Sequence, residues 1–111
     1  MVAFSLAGGG CMPSTTRGFD SPDPTSRLAA ISDAGARGDR EAIPQLIEQL
    51  ESSDPGARLL AIRSLERITG ETLGYHHADP WWERAPAVRR WRRWVEENPV
   101  ADAAPAPEPG A

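Results

Sequence analysis

Lysine is absent from this 111-residue chain; all 12 basic residues are arginine. Genomic base composition is reason enough for such a bias, so it carries no functional weight. Cysteine occurs once, which excludes an internal disulfide and leaves the redox compartment open. No stretch of 18 apolar residues exists, so the sequence holds no membrane-spanning helix. An excess of basic charge is missing too: 16 Asp and Glu against 12 Arg give a net charge of −4 and no global attraction to nucleic acid. The apolar material must serve one small domain, because the Pro- and Ala-rich ends shrink the part able to build a core.

Constellations for chemistry are equally scarce. His76 and His77 lie near Asp79, but adjacent histidines of an extended segment face opposite ways and no third Cys or His is near. They read as part of a solvated loop. Tyr75, following Gly74, is expected to tuck its ring beneath that loop with its hydroxyl in water. Ser64 has no neighbouring His, and Gly8-Gly9-Gly10 precede no strand–helix unit of a phosphate-binding loop. The expectation is a protein with no catalytic residue, no metal site, no cofactor and no small-molecule substrate.

What the chain does have is an internal repeat. Asp54-Pro55-Gly56-Ala57-Arg58-Leu59-Leu60-Ala61-Ile62 matches Asp23-Pro24-Thr25-Ser26-Arg27-Leu28-Ala29-Ala30-Ile31 at six of nine positions, 31 residues apart. Self-similarity at such a period marks a repeat architecture. In each copy Asp suits a helix N-cap, Pro suits the first helical position, and Leu, Ala and Ile follow at helical spacing. A leucine-rich helix, a short Asp-Pro turn and a second helix with Arg three residues after the Pro resemble a HEAT-type repeat. The short period is similar to the HEAT-like repeats of the phycobilisome-lyase class. The clearest unit is Asp39 to Gly70, with a degenerate one before it, so the resemblance covers roughly residues 23–70. It implies a scaffold for protein–protein interaction and does not imply lyase chemistry. Asp23, Pro24, Arg27, Asp54, Pro55 and Arg58 are its motif residues, with Arg58 expected to pair with Asp54 or with turn carbonyls.

The helices follow from caps and periodicity. Asp23 is expected to start a helix running to about Arg37, with Leu28, Ile31 and Ala34 on one face and Gly35 and Gly38 weakening its end. Asp39 caps a second, roughly 40–52, in which Ile43, Leu46, Ile47 and Leu50 fall at i, i+3, i+4, i+7. A third, about 55–69, has the stripe Leu59, Ile62, Leu65 and Ile68, widened by Leu60 and Ala61 and stopped by Gly70. Such a helix set cannot bury its own end, so a cap is required. The candidate is Pro80 to Asn98, which holds all four tryptophans and five arginines. Pro86 is expected to separate a turn at 80–84 from a main helix at 86–97. On that helix Val88, Trp91, Trp94 and Val95 share the inner face, Trp91 and Trp94 cap the third helix, and Arg89, Arg90 and Arg93 face solvent.

Before the repeat, small residues precede Cys11 and a Ser/Thr/Pro/Gly-rich stretch follows it. This resembles the lipobox of bacterial lipoproteins, although Gly8 stands where Leu is usual; the resemblance implies a signal peptide and lipidation of Cys11. The alternative is an incidental thiol in a cytoplasmic protein. The organisation expected is therefore a lipoprotein-like leader and flexible linker at 1–22, a helical repeat domain at 23–98 and a disordered Pro/Ala-rich tail at 99–111. The fold class is all-α, a short α-solenoid of about two HEAT-like helix pairs capped by the C-terminal Trp/Arg-rich helix. The function expected is a non-catalytic scaffold for a protein partner, lipid-anchored to the membrane of the cell envelope. The competing reading is a module that binds an anionic membrane surface or nucleic acid through residues 86–97.

Overall fold

The computed structural model describes residues 18–99, in which four α-helices and one 3₁₀ turn account for all regular structure. They are α1 (Pro24–Arg37), a 3₁₀ turn (Arg40–Ala42) leading directly into α2 (Ile43–Gln49), α3 (Pro55–Thr69) and α4 (Trp81–Glu97). Three of the starts follow one rule. Asp23, Asp39 and Asp54 each stand in extended backbone and accept the amide of the residue two further on, satisfying one of the donors a helix start leaves free. Gly38 and Gly70 close α1 and α3 in the left-handed conformation.

The helices stack as a short solenoid: α1 lies along α3, α3 along α2, and α2 along α4. Ile31, Ile43, Leu46, Leu50, Leu65 and Trp91 fill the seams and are inaccessible to water. Phe19, assigned by its sequence position to the linker at 1–22, is buried as well, and its carbonyl accepts a 3.3 Å hydrogen bond from Gln49. The folded unit thus begins before Asp23. Cys11 and the Pro/Ala-rich stretch after Pro99 lie outside the described residues.

Two sequence expectations about the α1–α3 seam change. Leu59 is only half-buried and stands apart from the core, whereas Ala57, Ala61 and Ser64 of the same helix are buried. Small residues line this crossing because the backbones approach too closely for large ones. Gly35 lies inside α1, not at its fraying end: a Cβ there would come within 2.8 Å of the Ser64 Cα and closer still to its side chain. The Ser64 hydroxyl, buried in the contact, donates to the Ile31 carbonyl at 2.9 Å. Gly35→Ala is therefore expected to destabilise the domain by about 1–3 kcal/mol despite the better helix propensity of alanine. A urea titration checks it, and Ser64→Ala should not rescue the loss, because the Ser64 backbone is part of the clash.

Tyr75 and Arg90 help to hold the segment between α3 and α4. Leu73 and Gly74 both have positive φ, 55° and 81°, in a tight turn closed by the Tyr75 amide on the Thr72 carbonyl. Tyr75 corrects its expectation: its hydroxyl is buried and donates at 2.6 Å to the Leu50 carbonyl just beyond the end of α2. Arg90 is exposed, as expected, yet its Nε donates at 2.8 Å to the Leu73 carbonyl and its guanidinium lies where a side chain at Gly74 would go. Burial raises the Tyr75 pKa above its ordinary value, countered in part by Arg84 and Arg58. The neutral, donating phenol is the form the fold prefers. Its contribution is complete below about pH 10 and is lost as pH rises from the unfolded toward the folded pKa. Tyr75→Phe should destabilise by about 1–2 kcal/mol at neutral pH, because a buried carbonyl loses its donor. The gap from wild type should narrow above pH 10 in denaturant titrations run across that range.

Candidate docking site

The repeated turns supply the frame. Ser21 and Ser52 accept the amides of Asp23 and Asp54 at 3.1 and 3.0 Å, and Arg27 and Arg58 donate to the Ser21 and Ser52 carbonyls at 2.7 and 2.9 Å. The structural repeat is therefore Ser-x-Asp-Pro-x-x-Arg, two residues longer at its start than the sequence match. Pro24 and Pro55 each occupy the first helical turn, where no amide is needed. Each arginine also reaches the next turn: Arg27 stands 3.8 Å from the Asp54 carboxylate, and Arg58 Nε donates to the His77 carbonyl at 3.1 Å. Arg58 thus clasps turn carbonyls of two layers. A hydrogen bond from the Ser26 hydroxyl, above all, holds the Asp23 carboxyl below its usual pKa; burial opposes this and the Thr25 amide adds to it. That cap contributes above about pH 3.8 and is lost in more acid solution.

A third Asp-Pro pair, Asp79-Pro80, opens α4 and was not singled out by the sequence match. Arg84 follows it one residue late and donates to the Asp79 carbonyl at 2.6 Å, the same clasp in altered register. From there α4 runs unbroken to Glu97 with Pro86 inside it, so the expected division into a turn at 80–84 and a helix at 86–97 does not occur. Proline at this position removes one amide, that which would bond the carbonyl of Trp82. Trp82 is exposed, so water can reach that end of the helix and the loss is small.

The four tryptophans divide into two pairs. Trp91 is fully buried, donates from its indole nitrogen to the Thr72 carbonyl at 3.1 Å, and meets the half-buried Trp94 edge-on at 5.7 Å. The helix they belong to lies chiefly against α2, with Trp91 and Arg90 fastened to the segment after α3, rather than along α3 as expected. Trp81 and Trp82 are 67% and 60% exposed, the large hydrophobic residues that the fold leaves in water, and they meet edge-on at 5.8 Å with their planes at 85°. The turn expected at 80–84 already sets them apart from the capping pair; the structure places them instead on the exposed side of an uninterrupted helix from Trp81. On the wheel of that helix Trp81, Trp82, Arg89, Arg92, Arg93 and Glu96 share a sector of roughly 120°, and all six are exposed.

Beside this face runs the α2–α4 seam. A recess of about 140 Å³ lies between Trp81, Ala85 and Val88 of α4 and Leu50 and Glu51. A groove of about 360 Å³, lined by Pro44, Ile47, Arg92 and Val95 among others, continues it. The Arg92–Glu51 ion pair, 2.8 Å long and half exposed, separates the two; a surface pair of this kind contributes at most about 1 kcal/mol and can open for a ligand. Charge adds direction. Five arginines and three glutamates make α4 +2, while residues 18–80, with eleven carboxylates and six arginines, sum to −5. His76 is exposed and His77 half-buried, and among the described residues no group of three His, Cys, Asp or Glu stands close enough to hold a metal ion. No described helix is long and apolar enough to cross a membrane.

Stacked helices with Asp-capped starts, and arginines bridging successive Asp-Pro turns, define an α-helical repeat protein. A family model of HEAT repeats matches residues 15–91, and the chain belongs to that family. The match takes in the Asp79-Pro80 turn and α4 as far as Trp91, beyond Gly70 where the sequence repeat ended. HEAT repeats commonly act as protein-interaction scaffolds and are generally non-catalytic. No curated protein and no solved structure matches the chain significantly.

Proposed function

We propose that this protein is a small non-catalytic scaffold that binds a protein partner on the exposed face of α4 and the adjoining α2–α4 seam. The observation that supports it most is the Trp81–Trp82 pair, held in water on a rigid helix next to an apolar recess. Tryptophan and arginine are the residues in which binding energy concentrates at protein interfaces, and an isolated domain gains nothing from exposing them. A photo-crosslinking residue at position 82 is expected to capture a partner in cells, and one at Arg63, exposed on α3, is not. Capture through a reporter at position 89 should fall at least tenfold in the Trp81→Ala/Trp82→Ala double variant, with helicity unchanged. Equal capture at positions 82 and 63, or no effect of the double variant, refutes the site.

The same face favours a second reading, contact with an anionic membrane surface, in which the tryptophans enter the interface and Arg89 and Arg93 meet headgroups. It predicts a blue shift of tryptophan emission with anionic vesicles that salt reverses; constant emission excludes it. Membrane proximity is also the sense of our proposal for Cys11, supported by the small residues before it and the polar stretch after it. Expression of the full open reading frame in a bacterium should give a lipidated, membrane-partitioned protein, and Cys11→Ser should abolish both. An unmodified Cys11 in a soluble product would remove the envelope assignment.

A further inference from the structure

We propose that residues 101–109 of this chain fold back along the exposed face of α4 and lay their prolines on the Trp81–Trp82 pair, occupying the docking site. Four observations meet here. The two indoles, edge-on at 5.8 Å and more than half exposed, form a notch of the kind that takes an extended proline-rich segment. Residues 101–109 read Ala-Asp-Ala-Ala-Pro-Ala-Pro-Glu-Pro; alternate prolines favour polyproline geometry, which enters an aromatic notch with little ordering entropy left to lose. Charge agrees: the segment holds Asp102 and Glu108 and no basic residue, and the face it would cross carries Arg89, Arg93 and the Glu51-paired Arg92 against one carboxylate of its own, Glu96. The reach agrees as well. The 17 residues of α4 span about 25 Å. Eight to ten residues of polyproline chain after Pro99 cover about 25–31 Å, so Pro107 and Pro109 arrive at the level of the tryptophans. In that register Asp102 passes close to Arg93.

The segment would then act as an internal competitor that a partner must displace, and a partner that succeeds would present similar chemistry. This concerns the regulation of the docking site and rests on that reading for its role. Its test reads the indoles directly, with no partner present, so the contact can fail while partner docking stands.

The experiment compares the indole N–H resonances of Trp81 and Trp82 in the labelled full chain with those in two variants. One is Asp102→Arg; the other replaces Pro105, Pro107 and Pro109 with Ser. Both changes fall after Pro99, the last described residue, and circular dichroism checks that helicity is kept. In each variant the Trp81 and Trp82 resonances are expected to shift and their acrylamide quenching to rise about twofold, while Trp91 stays constant. Raising salt to about 0.5 M should move the wild-type resonances part of the way toward those of the Asp102→Arg variant. Resonances identical in wild type and both variants overturn the contact. A wild-type shift that vanishes on dilution overturns the intramolecular form and assigns the segment to a second copy.

Discussion

Replacing Trp91 with alanine is expected to lower the stability of the domain by about 3–5 kcal/mol, the largest loss of any single truncation in the chain. Trp91 is fully buried at the point where α4, α2 and the segment after α3 meet. Its removal leaves a cavity too large for its neighbours to close and strips the Thr72 carbonyl of its indole donor. Trp94 loses the edge-on partner that fixes its ring. A domain of this size has little more than that amount in total, so the variant should be largely unfolded at physiological temperature. Trp81→Ala and Trp82→Ala, in contrast, should stay within about 0.5 kcal/mol of wild type, because their rings are mostly in water already. Circular dichroism through a urea titration distinguishes the cases. Equal losses for Trp81 and Trp91 would mean that the two pairs are not divided between cap and surface.

That division also marks how far the sequence could be read. Caps are local: an Asp two residues before its own helix amide is visible in the one-dimensional pattern, and so are the starts of α1, the 3₁₀ turn and α3. Heptad-like spacing exposed the inner face of α2, since Ile43, Leu46, Ile47 and Leu50 are all buried. The failures are non-local. Whether Pro86 breaks a helix depends on where that helix begins and on whether the orphaned carbonyl meets water. Tyr75 finds its partner 25 residues away, at Leu50, and no periodicity announces such a bond. Exposure of Trp81 and Trp82 follows from α4 being continuous, which rotates them away from the Trp91 face. The third Asp-Pro turn escaped because its arginine is displaced by one residue and its repeat is shorter than the first by several.

The α1–α3 crossing carries the same lesson and leads to the second large effect. Large apolar residues at helical spacing point to a core, but a close crossing selects small ones, so the seam is built on Gly35, Ala57, Ala61 and Ser64 while Leu59 drifts outward. Leu65 sits one turn beyond Ala61 on the inner side of α3, the helix against which both α1 and α2 pack, and it has no exposed surface. Leu65→Ala should therefore destabilise by about 2–5 kcal/mol, combining lost transfer free energy with an unfilled cavity. Leu59→Ala removes the same atoms from a half-buried site outside the core, and the expected loss is about 1 kcal/mol or less. The two substitutions have equal helix-propensity gains, so their difference isolates packing. Urea midpoints measured side by side give that difference directly. Should Leu59→Ala prove as damaging as Leu65→Ala, the rotation of α3 in its seam, and with it the small-residue crossing at Gly35, would have to be abandoned.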